Sequence, residues 1–187
     1  MCIRDRPLEM KNSHFTPINT DGGHAPMLGG GLCTTLNDYI HFLSMIYHDG
    51  MYNDKRIISA KTVKEMQADQ VKDAIIPSNN SDNYVAKGLG QSHNGIYGLG
   101  EWRELIDKKT GEAYQISSPG WAGAYPWINK RENVYGFFIA HVVGASSKED
   151  GFSSFYGSPV ISRTVSKIVK GHPLVVKQGR VEVGNGS

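Results

Sequence analysis

The feature that most limits the fold is a change of hydrophobic period part-way along the chain. Up to Ala68 apolar residues recur at helical spacing; from Gly95 they alternate at strand spacing between short turns. Thr35 is placed to cap a helix, with Asp38 three residues on as a partial capping box. Leu36, Ile40, Leu43 and Tyr47 predict its buried face, and Gly50 its end. After the turn Asn53-Asp54-Lys55, Ser59 caps a second helix running to Ala68, with Val63 and Met66 inward. Residues 7–31 and 69–94 read as polar and loop-like. Strands are expected at Ile96–Ile106, Ala113–Ser117, Ala122–Asn129 and Val134–Val143. Turn chemistry at Asp107–Gly111, Pro119-Gly120 and Asn129–Asn133 separates them, and connections this short make antiparallel neighbours. Ser158 as cap and Pro159 at the first helical position open a last helix, which Gly171 ends. Val160, Ile161, Thr164, Val165, Ile168 and Val169 predict its buried face. The order implies an α+β fold, an antiparallel sheet flanked by helices. Residues 172–187 read as a frayed polar tail.

Composition narrows the function classes. The net charge of +2 gives no basic surface for nucleic acid. No apolar run approaches the roughly 18 residues of a membrane span, and no apolar signal-peptide core is visible. Cys2 and Cys33 do not make a disulfide framework. His41 and His48 lie two helical turns apart, too far for a metal pair, and His141 on the last strand reads as structural. Gly29–Gly31 has neither a preceding strand nor a following Gly-Lys-Ser/Thr, so it is not a phosphate loop. No metal and no cofactor is expected. Met1-Cys2-Ile3-Arg4-Asp5-Arg6 back-translates to ATG TGT ATA AGA GAC AG, the transposon end used to tag sequencing libraries. Residues 1–6 are therefore expected to be an adapter artefact, with the native protein extending upstream of Pro7.

Several segments occur in a recognisable order: Leu28-Gly29-Gly30-Gly31-Leu32, the capped helix 35–50, Arg56-Ile57-Ile58-Ser59-Ala60-Lys61-Thr62-Val63-Lys64-Glu65-Met66, Tyr97-Gly98-Leu99-Gly100, and Ser118-Pro119-Gly120-Trp121-Ala122-Gly123-Ala124-Tyr125-Pro126-Trp127. Over residues 28–170 this series resembles the C-terminal part of the beta-lactamase-related serine hydrolases. That group includes class C beta-lactamases, D-alanyl-D-alanine carboxypeptidases and related esterases. The resemblance implies a partial beta-lactamase-like fold over 7–171. It also implies three motifs meeting in a cleft: Ser-x-x-Lys with the nucleophile, Tyr-x-Asn relaying protons, and Lys/His/Trp-x-Gly on a strand edging the cleft. The residue after that last glycine donates its N–H to the oxyanion.

No serine here has lysine three residues later, and no tyrosine has asparagine two residues later. Both motifs lie upstream of residue 28 in the family, so no nucleophile is expected in this chain. Counting back from Ala124-Tyr125 puts the third motif on Ser118-Pro119-Gly120. Trp121 then carries the oxyanion N–H, Ser118 replaces the usual Lys or His without its charge, and Pro119, Gly120, Ala122 and Tyr125 line the substrate. Trp121, Tyr125 and Trp127 are cleft candidates, although aromatics on a sheet are more commonly core. Ser81-Asp82-Asn83 and Lys109-Thr110-Gly111 spell class A beta-lactamase motifs. They are too close together for the domain that separates those motifs, and the second reads as a hairpin turn.

The sequence thus reads as a piece of a serine hydrolase acting through an acyl-enzyme on a small ester, amide, peptide or beta-lactam. It supplies the oxyanion strand and a cleft wall, and the missing half of the fold is its partner. Alone it is expected to be inactive. Family resemblance favours a periplasmic or secreted location. Two alternatives remain open: a non-catalytic α+β module binding peptide or glycan through the Trp121–Trp127 strand, and a relative that has lost its nucleophile.

Overall fold

A computed structural model describes residues 7–15, 30–72, 96–120, 123–139, 154–171, 174–177 and 180–183. In chain order the elements are β1 (His14–Phe15), β2 (Leu32–Cys33), α1 (Leu36–Tyr47), β3 (Met51–Tyr52), β4 (Lys55–Arg56) and α2 (Ala60–Gln67). There follow β5 (Trp102–Ile106), β6 (Ala113–Ser117), β7 (Ala124–Asn129), β8 (Val134–Ile139), α3 (Ser154–Gly171), β9 (Leu174–Lys177) and β10 (Arg180–Val183). Strands β5-β6-β7-β8 form one antiparallel meander. The fold is α+β, as the change of period implies.

Both predicted helix starts are present. Thr35 Oγ1 accepts the Asp38 N–H at 3.2 Å, and Ser59 Oγ accepts the Thr62 N–H at 2.9 Å. These bonds satisfy N–H groups that a helix start leaves without intrahelical partners. The buried face of α1 differs from the expected one. Leu43, Met45 and Ile46 are in the core, whereas Leu36 is 50% exposed. Eight of its twelve residues are apolar, so periodicity alone left several faces open, and the sheet selects one. Asp38 faces inward as well, its carboxylate accepting the Asn12 N–H and the Ser13 hydroxyl, each at 2.7 Å. This clamp holds residues 7–15 against α1, and Leu8 and Met10 enter the core from a segment expected to be loop.

The two sheet faces divide cleanly because side chains alternate along a strand. Ile116 and Ile128 join the α1 core, and Tyr39 of α1 stacks on Phe137 of β8 at 4.4 Å. Gln115 and Tyr125, on the other face, meet Ser162 of α3. The sheet is therefore sandwiched between α1 and α3. Trp127 stacks on Tyr125 at 5.4 Å and lies over Gly136, where an added Cβ would meet its ring at 2.4 Å.

Four further expectations need correction. The strand expected over Ile96–Ile106 is interrupted: Gly98 N–H donates to Glu101 O, and Tyr97 bridges Trp102 across a tight turn, with Gly100 at φ +76°. Two glycines in four residues made that turn available. Helix α3 begins at Ser154, upstream of the Ser158-Pro159 signal, so Ser158 is not its cap. A proline costs one ladder bond near a helix start and need not mark the first residue. The buried stripe of α3 is Ser162 and Ser166 flanked by half-buried Ile161, Val165 and Val169; Val160, Thr164 and Ile168 are exposed. The expected frayed tail contains the antiparallel hairpin β9–β10, consistent with its valine-rich flanks around Gly179.

Candidate active site

Beyond β6 the chain continues through Ser118-Pro119-Gly120, still paired to β7. Ser118 N–H donates to Pro126 O at 3.2 Å, and Gly120 N–H donates to Ala124 O at 2.8 Å. Gly123, at φ +99°, returns an N–H to Gly120 O at 3.1 Å. The predicted motif is thus a strand extension paired to β7. Trp121 and Ala122 lie outside the described residues, so the expected oxyanion donor has no described position. Ser118 is exposed, and its hydroxyl donates to Gly100 O at 3.3 Å, joining this extension to the turn at residues 98–101. Pro119 and Gly120 are half-buried beside it.

Tyr125 is not where a substrate contact would be. It is fully buried on the α3 face, and its hydroxyl lies 2.7 and 3.0 Å from the two Glu104 oxygens. A β-bulge at Glu104 turns that carboxyl inward, since Arg103 pairs with Ile116 and Leu105 with Gln115 while Glu104 has no cross-strand partner. Ser162 Oγ lies 3.2 Å from both Tyr125 Oη and Gln115 Nε2, and Asn129 Nδ2 donates to Gln115 Oε1 at 2.8 Å. Burial pushes the Glu104 carboxyl up; nearby Ser117, Tyr125 and Gln115, and the charge of Arg163, oppose it. Tyr125 is therefore a residue of the polar core, tying β7 to β5 and α3. Tyr125→Phe is expected to cost about 2–3 kcal/mol, because it strips a donor from a buried carboxyl. Urea unfolding of the two proteins checks this, and equal midpoints would refute the role.

Beneath Ser118 and the 98–101 turn lies a cavity of about 160 Å³. Tyr39 and Phe42 of α1, Met66 of α2, Ile116 of β6, and Leu99 and Glu101 of the turn line it. Leu99 and Ser118 are its exposed rim, and Glu101 is 8% exposed. Burial raises the Glu101 carboxyl to about 7, against a lowering influence of Lys130. Tyr39 is pushed up to about 12, by burial first and then by the Glu101 charge. Neither Glu101 nor Glu104 stood out in the sequence reading. The signal available was an acid inside an otherwise strand-like apolar stretch, which implies either a break in the strand or a buried carboxyl.

Lys109-Thr110-Gly111 forms the hairpin turn expected of it. Asp107 Oδ1 accepts the Lys109 and Thr110 N–H groups at 2.8 and 3.3 Å, and Gly111 sits at φ +71°. Ser81-Asp82-Asn83 and His141 lie outside the described residues. His41 Nδ1 lies 2.9 Å from Leu8 O, a structural contact. Among the described residues no group of acids, histidines and cysteines could hold a metal ion, and no helix is long and apolar enough to cross a membrane.

Comparison with solved structures supplies a relative. The chain is 69% identical to a protein from Bacteroides dorei DSM 17855 whose crystal structure is described as that of a "putative beta-lactamase", with a TM-score of 0.78. The two are related. The match covers 89% of this chain and 49% of that one, so the chain spans about half the length of this relative. No family profile and no curated protein matches. The beta-lactamase relation implied by the sequence motifs thus rests on a likeness over 89% of this chain at 69% identity.

Proposed function

We propose that this chain is the C-terminal part of a beta-lactamase-related serine hydrolase, contributing the oxyanion strand and one wall of the cleft. The observation that carries the reading is the Ser118–Gly120 extension: a motif found by counting residues is also where β6 runs on, fastened to β7, with Ser118 exposed. In the proposed reaction a serine Oγ outside this chain attacks the carbonyl carbon of an ester or amide. The Trp121 N–H holds the resulting oxyanion, the leaving group departs, and water hydrolyses the acyl-enzyme. An oxyanion donor of this kind is worth about 2.7–4 kcal/mol of barrier. Ser118 contributes a hydroxyl that orients substrate or relays a proton, and Tyr125 positions the strand from behind rather than touching substrate. The absence of Ser-x-x-Lys and the half-length match to the relative support a larger parent protein. So do the exposed apolar side chains Ile139 and Val160.

The chain alone is expected to show no serine-dependent turnover and no stoichiometric fluorophosphonate label. A labelled active-site serine in these 187 residues would overturn the proposal. The source DNA upstream of the Pro7 codon is expected to continue in frame through Ser-x-x-Lys and then Tyr-x-Asn. A start codon at Met1 with no such extension would instead favour the peptide- or glycan-binding module.

A further inference from the structure

The cavity beneath Ser118 combines two features that do not ordinarily coexist. Its walls are aromatic and aliphatic, and it contains a buried acid: Glu101 Oε1 is shut off from solvent and has no hydrogen-bond partner among the described residues. A buried carboxylate left unpaired is costly, so such groups are neutralised, paired or held for a ligand. Among the described residues no cation is paired with Glu101. Lys130 acts on Glu101 only through its charge, and its ammonium is bound to Asp49 at 2.6 Å. Arg103, two residues along, donates instead to Gln67 O at 3.0 Å and to Gly111 O. The polar group facing Glu101 from α1 is Tyr39, whose burial and raised titration keep it neutral. Size limits the occupant. A cavity of about 150 Å³ accommodates a six-carbon ring, and this one is about 160 Å³.

We propose that this cavity is a binding site for a small apolar ammonium ion, its hydrocarbon part among Tyr39, Phe42, Met66 and Ile116 and its charge on the Glu101 carboxylate. The aromatic rings reinforce the choice of a cation, since a ring face attracts an ammonium most strongly when both are out of water. The rim at Leu99 and Ser118 gives the entry. This site lies within the described chain and does not depend on the hydrolase reading. Its test requires no turnover, so failure of one leaves the other standing.

Isothermal titration of the 187-residue chain with cyclopentylamine, and with cyclopentanol as the uncharged counterpart, tests the proposal. At pH 8 the amine is expected to bind saturably and at least tenfold more tightly than the alcohol. Glu101→Gln should remove that preference. Because the Glu101 carboxyl titrates at about 7, affinity of the unaltered chain for the amine should fall about 100-fold between pH 8 and pH 5. Of the groups acting on it, Lys130 through its charge and Tyr39 across the cavity, Tyr39 is pushed up to about 12, well above that interval. No saturable amine binding, equal affinity for the alcohol, or tighter binding at pH 5 would each overturn the proposal. The pH and alcohol comparisons use the unaltered chain, so they hold even if Glu101→Gln fails to fold.

Discussion

Gly98→Ala is expected to destabilise the chain by about 3 kcal/mol or more, enough to unfold a domain of modest stability. An added Cβ at residue 98 would sit 2.2 Å from the carbonyl oxygen of Met66, at the end of α2. That carbonyl cannot swing aside cheaply, because it accepts the Leu99 N–H at 2.8 Å. The same junction is fastened by Gln70 N–H to Tyr97 O at 3.0 Å and by Gly98 N–H to Glu101 O at 2.9 Å. The methyl group must therefore separate α2 from the turn that carries Leu99 and Glu101. Gly100→Ala is the informative control. Gly100 has positive φ but open space around it, so it should cost only the roughly 1–2 kcal/mol of a left-handed backbone. Urea unfolding of both variants measures the difference. If Gly100→Ala proves the more damaging, the close approach at Gly98 is not what holds this turn.

This turn also shows where sequence reading reached its limit. Trp102–Ile106 does form a strand and Tyr97 bridges back to it, but strand-like composition over 96–106 cannot register a chain reversal that glycine makes inexpensive. The same applies to α1. Thr35 announced its start through local hydrogen bonding, which depends only on neighbouring residues. Its inward face depends on which side the sheet occupies, so Leu36, apolar and at helical spacing, is nonetheless exposed. Ala113–Ser117 was legible to the residue because turns with strong local signals bound it at both ends. The Ser118-Pro119-Gly120 motif was found by spacing, since spacing survives in sequence. The bulge that buries Glu104 and the enclosure of Glu101 arise from contacts between distant segments. An acid in an apolar stretch hints at them without saying which partner, if any, it will meet. Tyr125 shows the converse. Its place beside the motif suggested a substrate contact, whereas strand alternation sends its side chain to the opposite face.

Stability should fall as pH rises from about 4.5 to above 7, and Glu101 should be the main single cause. Its folded titration point, about 7, lies above the ordinary 4.5 because burial disfavours the carboxylate. Between these two values the folded chain holds a proton that the unfolded chain has released, so folding is favoured at the acidic end. Raising the pH through the window removes that advantage, and above it the folded protein must carry a buried negative charge. The interval corresponds to about 3 kcal/mol, a large share of a typical domain's stability. Glu104 acts in the same direction, since its carboxyl is also raised by burial. Asp107 and Glu132 act oppositely, but their titration is lowered by backbone and lysine hydrogen bonds respectively, so their influence falls below the window. Urea unfolding free energies at pH 5 and pH 8 should therefore favour pH 5, and Glu101→Gln should shrink the difference by about 3 kcal/mol. A Glu101→Gln protein with the unaltered pH dependence would show that this carboxyl is hydrated when ionised. An ammonium ligand should act in the opposite sense, stabilising the charged form and hence the folded chain most at pH 8. The same carboxylate that weakens the empty protein above neutrality would then be the group that strengthens the liganded one.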